Sequence, residues 1–235
     1  MSATAMDEPT LLRARALLGD EAMARLAAAL ILVVGLGAVG GACVEALARS
    51  GIGQLSLVDG DAFEPSNLNR QPFASLPAIG RPKSEVTCER LRLIAPTCAA
   101  QAQTCRLTAD NVKQLLDWAA PTAVVDAIDD VPAKVALLEC ARRRGLPAWS
   151  AMGAARKLDP ARLRVTDLAK TQVCPLARAV RQALRRRSIE RGIRAVWSDE
   201  PPRPLGPNNT LGSLMPVTAS AGLLLAADLL STLTR

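Results

Sequence analysis

The sequence predicts an α/β protein built on a doubly wound, mostly parallel sheet, which a basic C-terminal segment completes while covering the site. Three observations carry this expectation. Residues 29–34 (ALILVV) are continuously apolar and end in β-branched side chains, as a strand covered on both faces must be. A glycine-rich loop, Gly35-Leu36-Gly37-Ala38-Val39-Gly40, joins that run directly to a helical pattern. Strand-like and helix-like stretches then alternate as far as residue 151.

Two short helices open the chain, one over residues 10–18 and a second capped by Asp20 and running to about residue 28. Beyond the glycine loop, CVEALARS continues a helix to a turn at 51–53, and LSLV (55–58) is a second strand ending at Asp59. Pro82 suits the first turn of a helix on which Val86, Leu93 and Ile94 share a face. A weaker strand near 101–106, a short helix at 110–118, a strand at 123–127, a helix at 131–144 and a strand at 148–151 follow. After Gly153 the rhythm changes: a strand at 162–168, a helix at 175–191, a loop at 201–209 and a last apolar helix at 218–233. The most apolar part of that helix, 223–230, is interrupted by Asp228 and is expected to be too short to span a bilayer.

Composition narrows the chemistry. The 235 residues include no histidine, which excludes Ser-His-Asp and Cys-His triads and every His-ligated metal site. Tyrosine is absent too, and two Phe with three Trp cannot furnish a base-stacking platform. The cysteines at 43, 88, 98, 105, 140 and 174 contain no CxxC pair, so neither a structural zinc site nor a disulfide scaffold is expected. The polar, acidic start MSATAMDEPT is no signal peptide, and a reduced, cytoplasmic protein is the expectation. The net charge of +7 is uneven: residues 141–194 carry +12 and the remainder −5. Such localisation suits a polyanion, with nucleic acid the first candidate.

Between a strand and a helix, Gly35-x-Gly37-x-x-Gly40 lets backbone N–H groups and the helix N-terminus approach a phosphate. Asp59, at the next strand end, can accept both ribose hydroxyls. Those features alone fit NAD, FAD, S-adenosylmethionine or ATP. The following residues discriminate: Ser66-Asn67-Leu68-Asn69-Arg70-Gln71 and Gly80-Arg81-Pro82-Lys83 bring Arg70 and Lys83 towards the same crevice. Two added cations suit a triphosphate, whose charge builds up on the leaving pyrophosphate. The cluster Asp126-Ala127-Ile128-Asp129-Asp130 falls at the end of a later strand, where one carboxylate could hold Mg²⁺.

In order, VVGLGAVGG, LVDGDAFEPSNLNRQ, GRPKSE and VVDAIDD resemble the nucleotide-binding core of the ThiF/MoeB superfamily, the ubiquitin-activating-type adenylyltransferases, over roughly residues 10–150. The resemblance implies a Rossmann-like fold and adenylation of a carboxylate by ATP and Mg²⁺. It implies that Gly35, Gly37, Gly40, Asp59 and Asp61 bind the nucleotide, that Asn67, Arg70, Gln71 and Lys83 face its phosphates, and that Asp129 sits at the Mg²⁺. Arg13, in LLRARALLG, resembles an arginine that reaches into the neighbouring subunit's ATP site, which implies a homodimer. Arg13, Arg70, Lys83 and Asp129 are thus the implied catalytic set.

Farther on, WSAMGA (149–154), LDPARLRVTDLAKT, PLARAVRQALRRR, VWSDEPPR and LGSLMPV are similar to the tRNA threonylcarbamoyladenosine dehydratases. That resemblance implies one domain over 1–235, its ATP-binding core at 10–150 and a tRNA-facing part at 151–235. The implied reaction adenylates the carboxylate of a threonylcarbamoyl modification beside the tRNA anticodon; an internal attack then displaces AMP and closes a ring. No enzyme nucleophile is needed, which fits a chain without histidine. The resemblance also permits a monovalent cation and docking of a cysteine desulfurase with its sulfur acceptor. On the helix from Pro175, Arg178, Arg181 and Arg185 are expected to share an exposed stripe for tRNA phosphates. Cys174 stands where similar proteins usually carry a polar residue, often Asp, and reads as a small packing residue rather than a thioester cysteine. The other cysteines read as helix or strand packing, and the basic C-terminal tail of many relatives is missing. Rival readings are an adenylyltransferase for a ubiquitin-like sulfur carrier, an NAD-dependent oxidoreductase, and a non-catalytic RNA-binding scaffold.

Overall fold

The computed structural model describes residues 9–235. A 3-10 turn, Pro9–Leu11, leads into α1 (Leu12–Leu18) and α2 (Asp20–Ala28). Then come β1 (Leu30–Val34), α3 (Ala38–Arg49), β2 (Gln54–Val58), α4 (Lys83–Ile94), β3 (Ala99–Gln103), α5 (Val112–Ala119) and β4 (Ala123–Asp126). The chain continues through α6 (Val131–Arg143), β5 (Ala148–Ala151), β6 (Leu163–Asp167), α7 (Pro175–Arg185), β7 (Ile193–Ser198) and α8 (Met215–Leu233). The strands form one seven-stranded sheet in the order β3-β2-β1-β4-β5-β7-β6. All neighbours are parallel except β6 and β7. The sheet is therefore doubly wound and mostly parallel, and the C-terminal segment completes it, as expected.

Each face of the sheet is covered, which explains the unbroken apolar runs. Ile31, Val33, Leu55, Leu57 and Val125 pack towards α3, α4 and α8, while Leu32, Val34 and Val124 pack towards α5, α6 and α7. Burial of each such side chain contributes on the order of 2 kcal/mol. The chain runs outward from β1 through β2 to β3, then returns to place β4 on the other side of β1. A crevice opens at that reversal, at the carboxyl ends of β1 and β4.

Three local expectations are corrected. Gly19, not Asp20, is the N-cap of α2; Asp20 starts the helix and its carboxylate pairs with Arg15. On α4, Leu93 is 76% exposed, because the buried stripe is Ser84, Thr87, Cys88 and Leu91 at helical spacing. Two polar side chains occupy core positions there and hide the period. The helix from Pro175 stops at Arg185 rather than 191, and β7 follows as a strand absent from the sequence reading. Its Arg194 breaks the apolar run, and Asp228 on α8 neutralises it through bonds of 2.8 and 2.5 Å. The last helix, α8, has 19 residues; it is long and apolar enough to cross a membrane by length and composition only, a test that the core helix of a folded domain also passes. Here it packs on α3, with Gly222 against the Val39 carbonyl and Asp228 bonded to Trp149 and Arg194.

Candidate active site

The first wall of the crevice is the glycine loop. Gly35 has φ +90°, a left-handed conformation that side chains disfavour, and a Cβ on it would lie 2.7 Å from the Ala127 backbone. A Cβ on Gly40 would meet the Gly35 carbonyl oxygen at 1.8 Å, so the loop folds tightly onto its own helix. Gly37 is the N-cap of α3 and supplies no side-chain acceptor, which leaves the first N–H groups of the helix open towards the crevice.

Asp59 follows β2. Its Oδ2 accepts from the Leu36 N–H at 2.6 Å and its Oδ1 from the Asp61 N–H at 2.8 Å. Burial nevertheless raises its carboxyl above the usual range. Each oxygen keeps a further lone pair for a ribose hydroxyl. Beyond it, Lys83 Nζ, itself buried, pairs with Asp61 at 3.1 Å. Asn67 Oδ1 closes the turn before it by accepting from the Glu64 N–H at 3.1 Å. Arg70 Nη1 donates to the Ser66 carbonyl at 2.7 Å and to Asn69 Oδ1 at 2.9 Å. Gln71 is buried, and its Oε1 has no partner among the described residues.

The three carboxylates at the end of β4 and just beyond it divide the work. Asp126 is fully buried with Lys134, at 2.6 Å, and accepts from Ser150 Oγ at 2.5 Å. Burial pushes its carboxyl upward while Lys134, Ser150 and the Ile128 N–H pull against it. Asp130 caps α6 through the Ala133 N–H. Asp129, exposed at the crevice, is the one of the three without a partner among the described residues.

The crevice is a cavity of about 1100 Å³, lined by Gly35, Gly37, Asp59, Asp61, Asn67, Arg70, Gln71, Lys83 and Asp129. Gly40 lies beneath that lining. Arg178, Arg181 and Arg185 stand outside it on α7, and they do not form the expected free stripe. Arg178 and Arg185 are exposed, but Arg181 Nη1 turns in to the Thr171 carbonyl at 2.9 Å and to its hydroxyl. Arg13 is exposed on α1, which lies at the opposite end of the sheet: the preceding Leu11 packs against Gly51, just before β2 begins. It is not among the lining residues.

The sequence reading missed part of the lining. Arg106, Arg156, Lys157 and Ser213 also line the cavity, together with Cys105 and Cys174. Lys157 is buried and donates to the backbone carbonyls of Ser198 and Glu200, and burial lowers its ammonium pKa. Cys174 is buried at the start of α7, against Gly153. Cys105 and Cys98 lie in connections rather than in a helix or strand. The signal for Arg156 and Lys157 was their place just past β5, since strand carboxyl ends form the crevice.

The ThiF family matches residues 11–235. The chain belongs to the ThiF family. Among ThiF-type proteins, the tRNA threonylcarbamoyladenosine dehydratase of Bacillus subtilis is 37% identical over 79% of this chain and 72% of its own length. The enzyme of that name from Escherichia coli is 42% identical over 72% of this chain and 63% of its own. The crystal structure of the E. coli dehydratase, TcdA, in complex with ATP superposes with a TM-score of 0.91 at 34% identity, covering 99% of this chain and 97% of that one. The Rossmann-like ThiF architecture is thereby shown for the whole described length.

Proposed function

We propose that this ThiF-family chain is an ATP-dependent tRNA threonylcarbamoyladenosine dehydratase. One observation carries the reading. A chain that matches the ATP complex of TcdA over its full length gathers the glycine loop, Asp59, Arg70, Lys83 and Asp129 around one cavity at the sheet's switch point.

The roles follow from the geometry. The open N-terminus of α3 and the glycine loop receive phosphate, and Asp59 receives the ribose hydroxyls. Arg70 and Lys83 now hold protein oxygens and would exchange them for triphosphate oxygens, stabilising charge on the departing pyrophosphate. Asp129 fits Mg²⁺: it is an unpartnered hard oxygen ligand, and Mg²⁺ commonly takes one or two carboxylates plus substrate phosphates. Bound there, the ion would neutralise phosphate charge. A substrate carboxylate oxygen then bonds to the α-phosphorus as the bond to the bridging oxygen breaks and pyrophosphate leaves. The ring-closing atom of the modification attacks the activated carbonyl, AMP departs, and the net loss is one water. Residues 10–150 supply the nucleotide site, and residues 151–235 face the tRNA.

The same reading makes the protein a homodimer in the cytoplasm. Arg13 lies at the end of the sheet opposite its own cavity, and α1 exposes Leu12 and Leu17 beside it, an apolar ridge suited to a second copy.

The test follows AMP release from ATP and Mg²⁺, with and without tRNA bearing threonylcarbamoyladenosine, while mass spectrometry reads the nucleoside. AMP that depends on the modified tRNA, with loss of one water from the nucleoside, is the expected result. Stimulation by a ubiquitin-like carrier instead would replace the substrate assignment.

A further inference from the structure

The cavity holds a cation that none of these roles uses. Arg156 follows Gly153 past the end of β5 with φ +61°, in the left-handed region that a residue bearing a Cβ rarely adopts. Two backbone bonds clamp it there: its N–H donates to the Gly212 carbonyl at 2.8 Å, and its carbonyl accepts from the Arg203 N–H at 2.9 Å. Strain held by such a clamp is a feature of ligand-binding positions. The half-buried side chain lines the cavity and makes no hydrogen bond or ion pair among the described residues. The neighbouring cations differ. Arg70, Lys83 and Lys157 are already bonded to protein oxygens. Arg106 is exposed and lies against Gly60, on the Asp59 side.

Resting on the function proposed above, we propose that Arg156 receives the carboxylate that the enzyme activates. The nucleophile is an anion that must approach the α-phosphate of a polyanion, and their repulsion has to be offset where they meet. A guanidinium stays charged at any working pH, and its planar fork matches both oxygens of a carboxylate. As one oxygen bonds to phosphorus, the other becomes the carbonyl of the acyl-adenylate and keeps an N–H donor. A tRNA backbone phosphate would call for an arginine on the outer surface, as Arg178 and Arg185 are, rather than one on the cavity wall.

The test uses Arg156→Gly, which removes the guanidinium and suits the left-handed backbone, so that any loss is not misfolding. Arg156→Ala is the companion variant. Binding is measured at one salt concentration for tRNA carrying threonylcarbamoyladenosine, for the same tRNA with plain adenosine there, and for ATP. The wild type is expected to prefer the modified tRNA. Both variants should lose that preference, with affinity for modified tRNA falling about tenfold to a hundredfold, the range for a charge-assisted bond. Affinity for plain tRNA and for ATP should stay unchanged. Equal loss on both tRNAs, with a shallower salt dependence, would mean a phosphate contact and overturn the proposal. So would wild-type discrimination in both variants. A wild type that neither discriminates nor forms AMP with the modified tRNA would overturn the functional reading, and the role of Arg156 with it.

Discussion

Lys134 shows what single residues do beneath this site. Its ammonium is 0% exposed and reaches Asp126 at 2.6 Å, Ser150 at 3.3 Å and the Ala151 carbonyl at 3.0 Å. Those contacts join the carboxyl ends of β4 and β5 and fix where the segment to Asp129 begins. A buried ion pair adds little over an apolar pair of the same shape, but removing one partner strands a charge. Lys134→Met should therefore cost about 3–5 kcal/mol of stability in a denaturant titration. A double variant, Lys134→Met with Asp126→Leu, should recover much of that loss, whereas two additive losses would show that the pair acts through something other than stranded charge. Nothing in the sequence marks Lys134, because a lysine four residues into an apparently amphipathic helix reads as surface. Asp59, Arg70, Lys83 and Asp129 were legible for the opposite reason: each belongs to a spaced motif tied to a strand end or a helix start.

Asp228 carries the corresponding argument for elements. It joins α8 to β5 through the Trp149 indole N–H at 2.8 Å and to β7 through Arg194. The Arg194 guanidinium holds the Asp228 carboxyl below the usual range, and the Trp149 bond adds to this. A carboxyl lowered on folding contributes stability that is complete above its unfolded value, about 4, and disappears as pH falls through the lower native value. Asp228→Asn should thus lower the Tm by roughly 5 °C at neutral pH. The two proteins should converge in acid once the pH has fallen below the lowered native value of Asp228; a gap that persists there would assign the effect to packing. The same contact explains why β7 was missed. Ile193–Ser198 is a strand inside the sheet whose arginine is neutralised by Asp228, 34 residues later in the chain, and no local pattern records that. The Rossmann-like half was readable, since β1, β2, β4 and β5 are apolar runs that end at the motifs themselves. The expected helix end at 191 failed because an arginine-rich run has good helical propensity, yet Ser188 turns left-handed at φ +61°.

At the scale of the molecule, the charge imbalance along the chain is smaller in space than in sequence. Arg143 and Arg187 pair with Glu139, Arg144 with Asp117, Arg162 and Arg164 with Asp199, and Arg194 with Asp228, all acids outside the basic segment. Arg178 and Arg185 remain exposed on α7 and unpaired among the described residues. If they meet tRNA phosphates, Arg178→Ala/Arg185→Ala should reduce the slope of log affinity against log salt by between one and two, with ATP affinity unchanged. An unaltered slope would remove α7 from the tRNA surface. The dimer makes the more demanding prediction. Arg13 projects from α1 at the end of the sheet remote from the cavity, whereas Lys83 lines the cavity of its own chain. If the partner's Arg13 completes each site, Arg13→Ala and Lys83→Ala should each be inactive alone. Unfolded together and refolded, half of the dimers pair one variant with the other, and one of their two sites combines an intact Lys83 with an intact Arg13. Activity should then return to about a quarter of the wild-type value, while a mixture that stays inactive would confine each site to one chain.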